Sequence, residues 1–203
     1  MMATSEPNTD FLSALADDTS LADLRDRLAA QAQHAGILDV AYRTIDTPVG
    51  ELLVAATERG VLRIAYSREG HDAVLESIAD LVSPRVLRAP ARLEDAAREL
   101  DEYFAGQRHA FDLPLDMQLA RGFRRIVLDR LADIAYGSTA SYGALAVAAG
   151  SPAAVRAVGT ACARNPLPVV VPCHRVVRSD GSLGQYVGGP DAKRTLLTLE
   201  QAA

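Results

Sequence analysis

Cysteine is scarce in this chain: its 203 residues hold two, Cys162 and Cys173. Two thiols cannot build a disulfide framework, and they cannot alone make a structural zinc site. The four histidines are scattered and none stands at a metal-ligand spacing from a cysteine, so neither a metal nor any other cofactor is implied. So few cysteines suit a reducing, cytoplasmic compartment. No apolar run approaches the ~20 residues that a membrane-crossing helix needs, so no membrane partner is expected. The opening stretch, MMATSEPNTDFLSALADD, lacks a basic-then-apolar start; neither a secretory signal nor an Arg-rich transit peptide is expected. What is present, 49% hydrophobic residues over this length, describes a soluble chain with room for one large domain or two small ones.

The net charge of −5 argues against a nucleic-acid partner until it is divided along the chain. Residues 119 to 203 hold ten Lys and Arg against five acids, a net +5, whereas the first 118 hold eleven against twenty-one, a net −10. Such asymmetry permits a polyanion on one face, although solvated surface charge would look the same.

Patterning divides the chain into three segments. In residues 1 to 38, Leu21, Leu24 and Leu28 stand at helical spacing; Thr19 or Ser20 is a candidate cap and Gly36 a stop. This segment reads as a helical extension packed on the neighbouring domain. Residues 39 to 115 read as an α+β domain. Val40, Tyr42 and Thr44 alternate, ELLVAATERG and VLRIAYS supply two further strands, and the short turns predict antiparallel hairpins. Helical spacing covers His71 to Leu81 and Leu93 to Phe104. Residues 116 to 203 read as mostly helical. Gly122 to Ala135 places Phe123, Val127, Leu128 and Leu131 on one side. A short helix capped by Thr139 or Ser141 then closes at Gly150, and Ser151-Pro152 offers the N-cap and first position of another, running to Asn165-Pro166. Two short helices across a glycine-containing turn is the helix-turn-helix pattern.

The second helix of that pair is poor in the polar side chains that read base edges. It offers Ala153, Ala154, Ala157, Gly159, Thr160 and Ala161, with Arg156 as its one long cation. Small residues suit close approach, to a core or to a nucleic-acid groove; a guanidinium among alanines favours DNA, where it could fill the place of an extruded base.

Downstream lies PLPVVVPCHRVV, residues 166 to 177, in which Val169 to Val171 read as a short buried strand leading to Cys173. A thiol reacts as its thiolate, which a cation, a histidine or a helix N-terminus can favour. On an extended chain neighbours point opposite ways, so Cys173 next to His174 does not establish contact. The pair is either incidental or a nucleophile with its base at one remove.

Pro172-Cys173-His174-Arg175-Val176 resembles the active-site motif of the O6-alkylguanine-DNA alkyltransferases, also called methylated-DNA–protein-cysteine methyltransferases. The resemblance extends upstream to Ser141-Tyr142, Arg156-Ala157-Val158-Gly159 and Asn165-Pro166. Downstream it takes in Gly184, Tyr186, Gly188-Gly189, Lys193, Leu196-Leu197 and Glu200, and TPVGELLVAATERGV matches more loosely. It implies a small N-terminal antiparallel sheet with helices, ribonuclease H-like, followed by a helical, winged-helix-like domain with a helix-turn-helix. It further implies that Cys173 accepts an alkyl group from O6 of a flipped guanine, and also from O4-alkylthymine, in a single-turnover reaction. His174 would be a base acting through water, oriented by Glu200. Tyr142 would donate to the departing guanine, Arg156 would take the vacated place in the duplex, and Asn165 would brace the turn behind the thiol. Ala154, Ala157, Gly159 and Thr160 would meet DNA; Pro168, Val176, Tyr186, Val187, Gly188 and Gly189 would line the pocket. The implied partner is double-stranded DNA carrying O6-alkylguanine, with no obligate protein partner and a monomeric chain.

This sequence departs from the family at Val187, where many relatives have serine after the tyrosine; its side chain cannot hydrogen-bond O6, which bears on tolerance of bulky alkyl groups. The zinc-binding cysteines of some relatives are missing. Three other readings compete. A non-enzymatic lesion binder would carry tryptophan in place of Cys173, and a helix-turn-helix regulator would need a more polar reading helix. A cysteine hydrolase would need oxyanion donors that the sequence does not identify.

Overall fold

The computed structural model describes residues 18–201. A first helix, α1 (Asp18–His34), leads to a sheet of β1 (Val40–Ile45), β2 (Leu52–Thr57), β3 (Gly60–Tyr66) and β4 (Val86–Arg88). Helix α2 (His71–Leu81) precedes β4, and α3 (Glu94–Phe104) comes after it. The second half contains α4 (Phe123–Leu131), a two-residue strand β5 (Ala140–Ser141), α5 (Tyr142–Ala148) and α6 (Val155–Ala163). It closes with β6 (Val176–Val177) and α7 (Gly189–Gln201).

The sheet order is β3-β2-β1-β4, with β1-β2 and β2-β3 antiparallel as the short turns predicted. The fourth strand corrects the expectation of a purely antiparallel sheet: β4 pairs parallel with β1 through Val40–Val86 and Tyr42–Arg88. Three residues carry too little periodicity to announce a strand, and a parallel partner is reached by the long crossover through α2, not by a hairpin. β2 is buried along almost its whole length because both faces are covered. One face meets α2, where Val40, Ala55, Leu62 and Ile78 cluster. The other face joins a continuous core that runs from Leu52, Val54 and Ile64 through Leu100 and Tyr103 to Val127, Leu128, Val158 and Leu196. That shared core ties the two halves together.

Helix α1 forms, but not with the buried face that its leucines suggested. Leu21, Leu24 and Leu28 are exposed, and Ala29 and Ala32 face inward with Leu38. Short alanines allow the helix to lie close to β4, where an Asp26–Arg88 ion pair joins them. The expected cap is corrected: the helix already includes Thr19 and Ser20, so neither stands at its N-cap. Gly36 comes after the helix at φ +67, as a stop requires.

Two further expectations need correcting. Ser141 caps α5 as expected, accepting from Ala144 N at 3.0 Å, but Ser151 does not cap α6. Its carbonyl accepts Ala154 N at 2.8 Å in a turn, and the helix begins at Val155. Val169 to Val171 are not a strand. Val171 N bonds Leu167 O at 2.8 Å in a tight turn, and Val169 has φ 73, unusual for a β-branched residue. Three consecutive valines suit a strand locally; the prolines on either side and the side chain of Asn165 impose the turn instead. The extended segment comes after the thiol, where β6 pairs parallel with β5 through Ala140–Val176 and Ser141–Val177.

Gly60 is needed where β3 begins. Its φ is +131, and a Cβ there would sit 2.1 Å from Pro114 O. That carbonyl is held in place by Val61 N at 2.8 Å, and Asp116 N returns to Val61 O at 2.8 Å. Gly60→Ala is expected to lower unfolding stability by at least ~2 kcal/mol, read as a reduced urea midpoint at unchanged slope.

Candidate active site

The turn after α6 is organised by one side chain. Asn165 Oδ1 accepts Leu167 N at 3.0 Å, and its Nδ2 donates to Val171 O at 2.8 Å and to Cys173 Sγ at 3.2 Å. The left-handed Val169 is held inside this loop. Cys173, 2% exposed, then opens a single 3-10 turn through Arg175. Neighbours leave a 3-10 turn about a third of a revolution apart, and the two side chains take different partners, Asn165 for the thiol and Glu200 for the imidazole.

His174 is fully buried and its Nε2 lies 2.8 Å from Glu200 Oε1 on α7. Its Nδ1 is also buried and makes no hydrogen bond to another described residue. Glu200 collects more partners than the sequence indicated. Arg175 Nε donates to Oε2 at 2.9 Å and its Nη2 to Oε1 at 2.9 Å; Tyr103 from α3 donates its hydroxyl to Oε1 at 2.7 Å. Gly137 N reaches Oε2 at 3.3 Å. Burial alone would raise the carboxyl, but the bonds from His174, Arg175 and Tyr103 outweigh it and hold Glu200 down to about 2. Arg175 also donates to Ile134 O at 2.6 Å and lies over the Tyr136 ring, 5.7 Å from its centroid. The guanidinium two residues after the thiol is therefore spent on the carboxylate and on Ile134 O.

Burial pushes the Cys173 thiol up to about 11, against the opposing effects of the Asn165 bond and the Lys193 charge. At neutral pH Cys173 therefore rests protonated and needs a base to react. Burial also lowers His174, against the pull of Glu200. A neutral imidazole with one nitrogen anchored to a carboxylate is a competent proton acceptor at the other.

Tyr142 opens α5, half-buried, and burial raises its phenol, so the group is a hydrogen-bond donor at neutral pH. A Cβ on Gly184 would lie 2.9 Å from Tyr142 Oη, so glycine there lets the 184–189 loop close on the phenol. Pro168 and Val176 are buried, and Tyr186, Val187 and Gly188 are half-buried along that loop. Lys193, fully buried, ties the loop back through Val176 O at 2.6 Å and Leu183 O.

The other residues assigned to DNA lie on α6 and in the turn before it. On α6, Val158, Ala161 and Cys162 face inward, while Arg156, Ala157 and Thr160 are exposed, Gly159 is half-buried, and Ala154 lies in the turn before the helix. Beside that outer face runs a groove of about 400 Å³ bordered by Arg121, Arg124, Thr160 and Arg164. In the sequence these arginines contribute only to a charge total; no spacing rule links 121 to 164. Tyr103 escapes sequence reasoning for the same reason, since it lies 97 residues from the carboxylate it meets.

A helix-turn-helix set before a buried thiol, with an imidazole and a carboxylate behind it, defines a DNA-binding protein with thiol chemistry. Comparison with known proteins makes this specific. Residues 122–202 match the model of the 6-O-methylguanine DNA methyltransferase DNA binding domain, and residues 40–117 that of the same family's ribonuclease-like domain. The methylated-DNA–protein-cysteine methyltransferase of Methanosarcina barkeri is 38% identical over 160 residues, 79% of this chain and 96% of the relative. The constitutive enzyme of that name from Bacillus subtilis is 40% identical over 161 residues, 79% of this chain and 94% of its own. The crystal structure of Mycobacterium tuberculosis O6-methylguanine methyltransferase superposes with a TM-score of 0.70 at 37% identity, covering 80% of this chain and 93% of that one. A structure of the M. tuberculosis protein in complex with DNA gives 0.68 at 36% identity, with the same coverage. The chain belongs to the 6-O-methylguanine DNA methyltransferase family, the methylated-DNA–protein-cysteine methyltransferases.

Because Glu200 sits lower folded than the ordinary 4.5 of a free glutamate, the stability it provides is complete above that value and is lost as pH falls toward about 2. Glu200→Gln is expected to cost roughly 3–5 kcal/mol at neutral pH, the usual penalty for breaking a buried ion pair on one side. It should also flatten the acid limb of the stability profile, measured by urea unfolding across that window.

Proposed function

We propose that this protein repairs alkylated DNA by transferring the alkyl group from O6 of guanine, and from O4 of thymine, to its own Cys173. The observation that carries the reading is the buried thiol held by Asn165 at 3.2 Å beside a histidine anchored to Glu200 at 2.8 Å. In the reaction the Cys173 proton passes through a water to His174, and Sγ forms a bond to the alkyl carbon. The bond between that carbon and O6 breaks, and the departing guanine receives a proton or hydrogen bond from Tyr142. Glu200 compensates the charge that develops on the imidazole. The rested, protonated thiol suits a protein used once: it stays masked until substrate is in place, and the thioether it forms offers water no good leaving group.

A guanine inside a duplex is out of reach, so the lesion must be extruded at a cost of a few kcal/mol. Arg156, projecting from the exposed face of α6, would fill the space left in the stack. Ala154, Ala157, Gly159 and Thr160 would allow close approach to the groove, and Arg121 and Arg164 would meet phosphates, which carry affinity but no sequence information. Pro168, Val176 and the Tyr186–Gly189 loop would receive the flipped base. In this division of labour residues 116–203 bind DNA and accept the alkyl group, residues 39–115 buttress them, and residues 1–38 are an extension; the chain would act as a monomer.

Incubation with a duplex carrying O6-methylguanine is expected to add the mass of one methyl group in place of one hydrogen, located on Cys173 by peptide mapping. A protein whose mass does not change would overturn the proposal. Cys173→Ala should abolish transfer and keep DNA binding. Arg156→Ala should slow reaction with duplex lesions while sparing reaction with free O6-benzylguanine; equal slowing of both would remove Arg156 from its assigned role.

A further inference from the structure

Tyr66, the last residue of β3, belongs to the ribonuclease-like half yet reaches the loop assigned to the substrate. Its hydroxyl is 2.9 Å from that of Tyr186, and the rings meet edge to face with centroids 5.8 Å apart. Tyr186 in turn stands 6.3 Å, ring to ring, from His174. Gly188 presses its backbone on the Tyr66 ring so closely that a Cβ there would lie 2.6 Å from it. Tyr66 therefore braces both ends of the Tyr186–Val187–Gly188 turn from behind.

The brace is itself fixed. Tyr66 N donates to Glu69 Oε1 at 2.9 Å, and Glu69 pairs with Arg63. Arg63 Nη1 reaches Pro166 O at 3.2 Å, and Ile64 N reaches the same carbonyl at 2.8 Å. Pro166 is next to Asn165, so one rigid unit of β3 contacts both the turn that positions the thiol and the loop opposite it. Burial keeps both phenols protonated, so the hydroxyl pair persists across the ordinary pH range.

We infer that Tyr66 is a specificity-determining positioning residue: by holding Tyr186 and Gly188 it sets the width of the alkyl pocket and favours small O6 substituents over bulky ones. This rests on the alkyl-transfer reading of Cys173. A methyl group enters with the loop in place; a benzyl group requires the loop to move outward, against the hydroxyl pair. Val187, an apolar side chain within the braced turn, supplies no hydroxyl of its own to offset that movement. Just outside lies a cavity of about 510 Å³ between Arg68, Glu69 and the Tyr186–Pro190 stretch, into which a displaced loop can move.

The test compares single-turnover rate constants for one oligonucleotide duplex bearing either O6-methylguanine or O6-benzylguanine, so that DNA binding cancels in the ratio. Tyr66→Phe, which keeps the ring and removes only the hydroxyl, is expected to raise the benzyl-to-methyl ratio roughly fivefold, the worth of one neutral hydrogen bond. Tyr186→Phe breaks the same bond from the other side, so the two substitutions together should raise the ratio no further than one alone. A ratio that stays constant, whether both rates are preserved or fall together, would reduce Tyr66 to a core residue and overturn the inference, as would shifts that simply add. Wild-type protein that gains no methyl group would instead refute the transfer reading on which the inference stands.

Discussion

Most of the second half of this protein is organised around one buried carboxylate. Glu200 accepts from His174, Arg175, Tyr103 and the backbone of Gly137. Those donors come from the 3-10 turn that the thiol opens, from α3 in the first half, and from the turn after α4. An ionised group with so little exposure survives only if every lone pair is used. Meeting that requirement fixes α7 against the active-site turn and the two halves against each other. It also sets the imidazole's orientation, since one nitrogen is committed and the other makes no hydrogen bond to another described residue.

The thiol presents the opposite arrangement. Its neighbours in sequence, His174 and Arg175, are both turned to the carboxylate, and its own partner is the amide of Asn165. Burial keeps it protonated. The charge pairing and the thiol's own hydrogen bond thus use two sets of atoms that share a three-residue turn. Under the proposed reaction, that arrangement leaves the thiol protonated until the imidazole accepts its proton.

The first half contributes more than bulk. Arg63 and Ile64 hold the carbonyl of Pro166, Tyr66 holds the loop opposite, and Tyr103 completes the carboxylate's shell. Each contact joins residues about a hundred positions apart or more, except the carboxylate bond of Tyr103, which spans 97. The strongly acidic charge of this half therefore does not set it apart from the site: its polar and aromatic groups meet the second half at the shared face.

Local patterning was enough to recover α2, α3, the β1–β3 hairpins, the Ser141 cap and the helix pair, because spacing, turns and caps are properties of short stretches. The motif around Cys173, in register with Tyr142, Arg156, Asn165 and Glu200, likewise identified the family from the sequence by itself. The tertiary structure decided the rest. It turned Val169–Val171 from a strand into a loop around Asn165, paired β4 with β1, buried Ala29 and Ala32 in place of three leucines, and gave Glu200 its additional donors. In each case the deciding energy comes from groups distant in the chain: satisfying a buried amide or carboxylate, or packing a face against a partner, outweighs the preference of a few residues read alone.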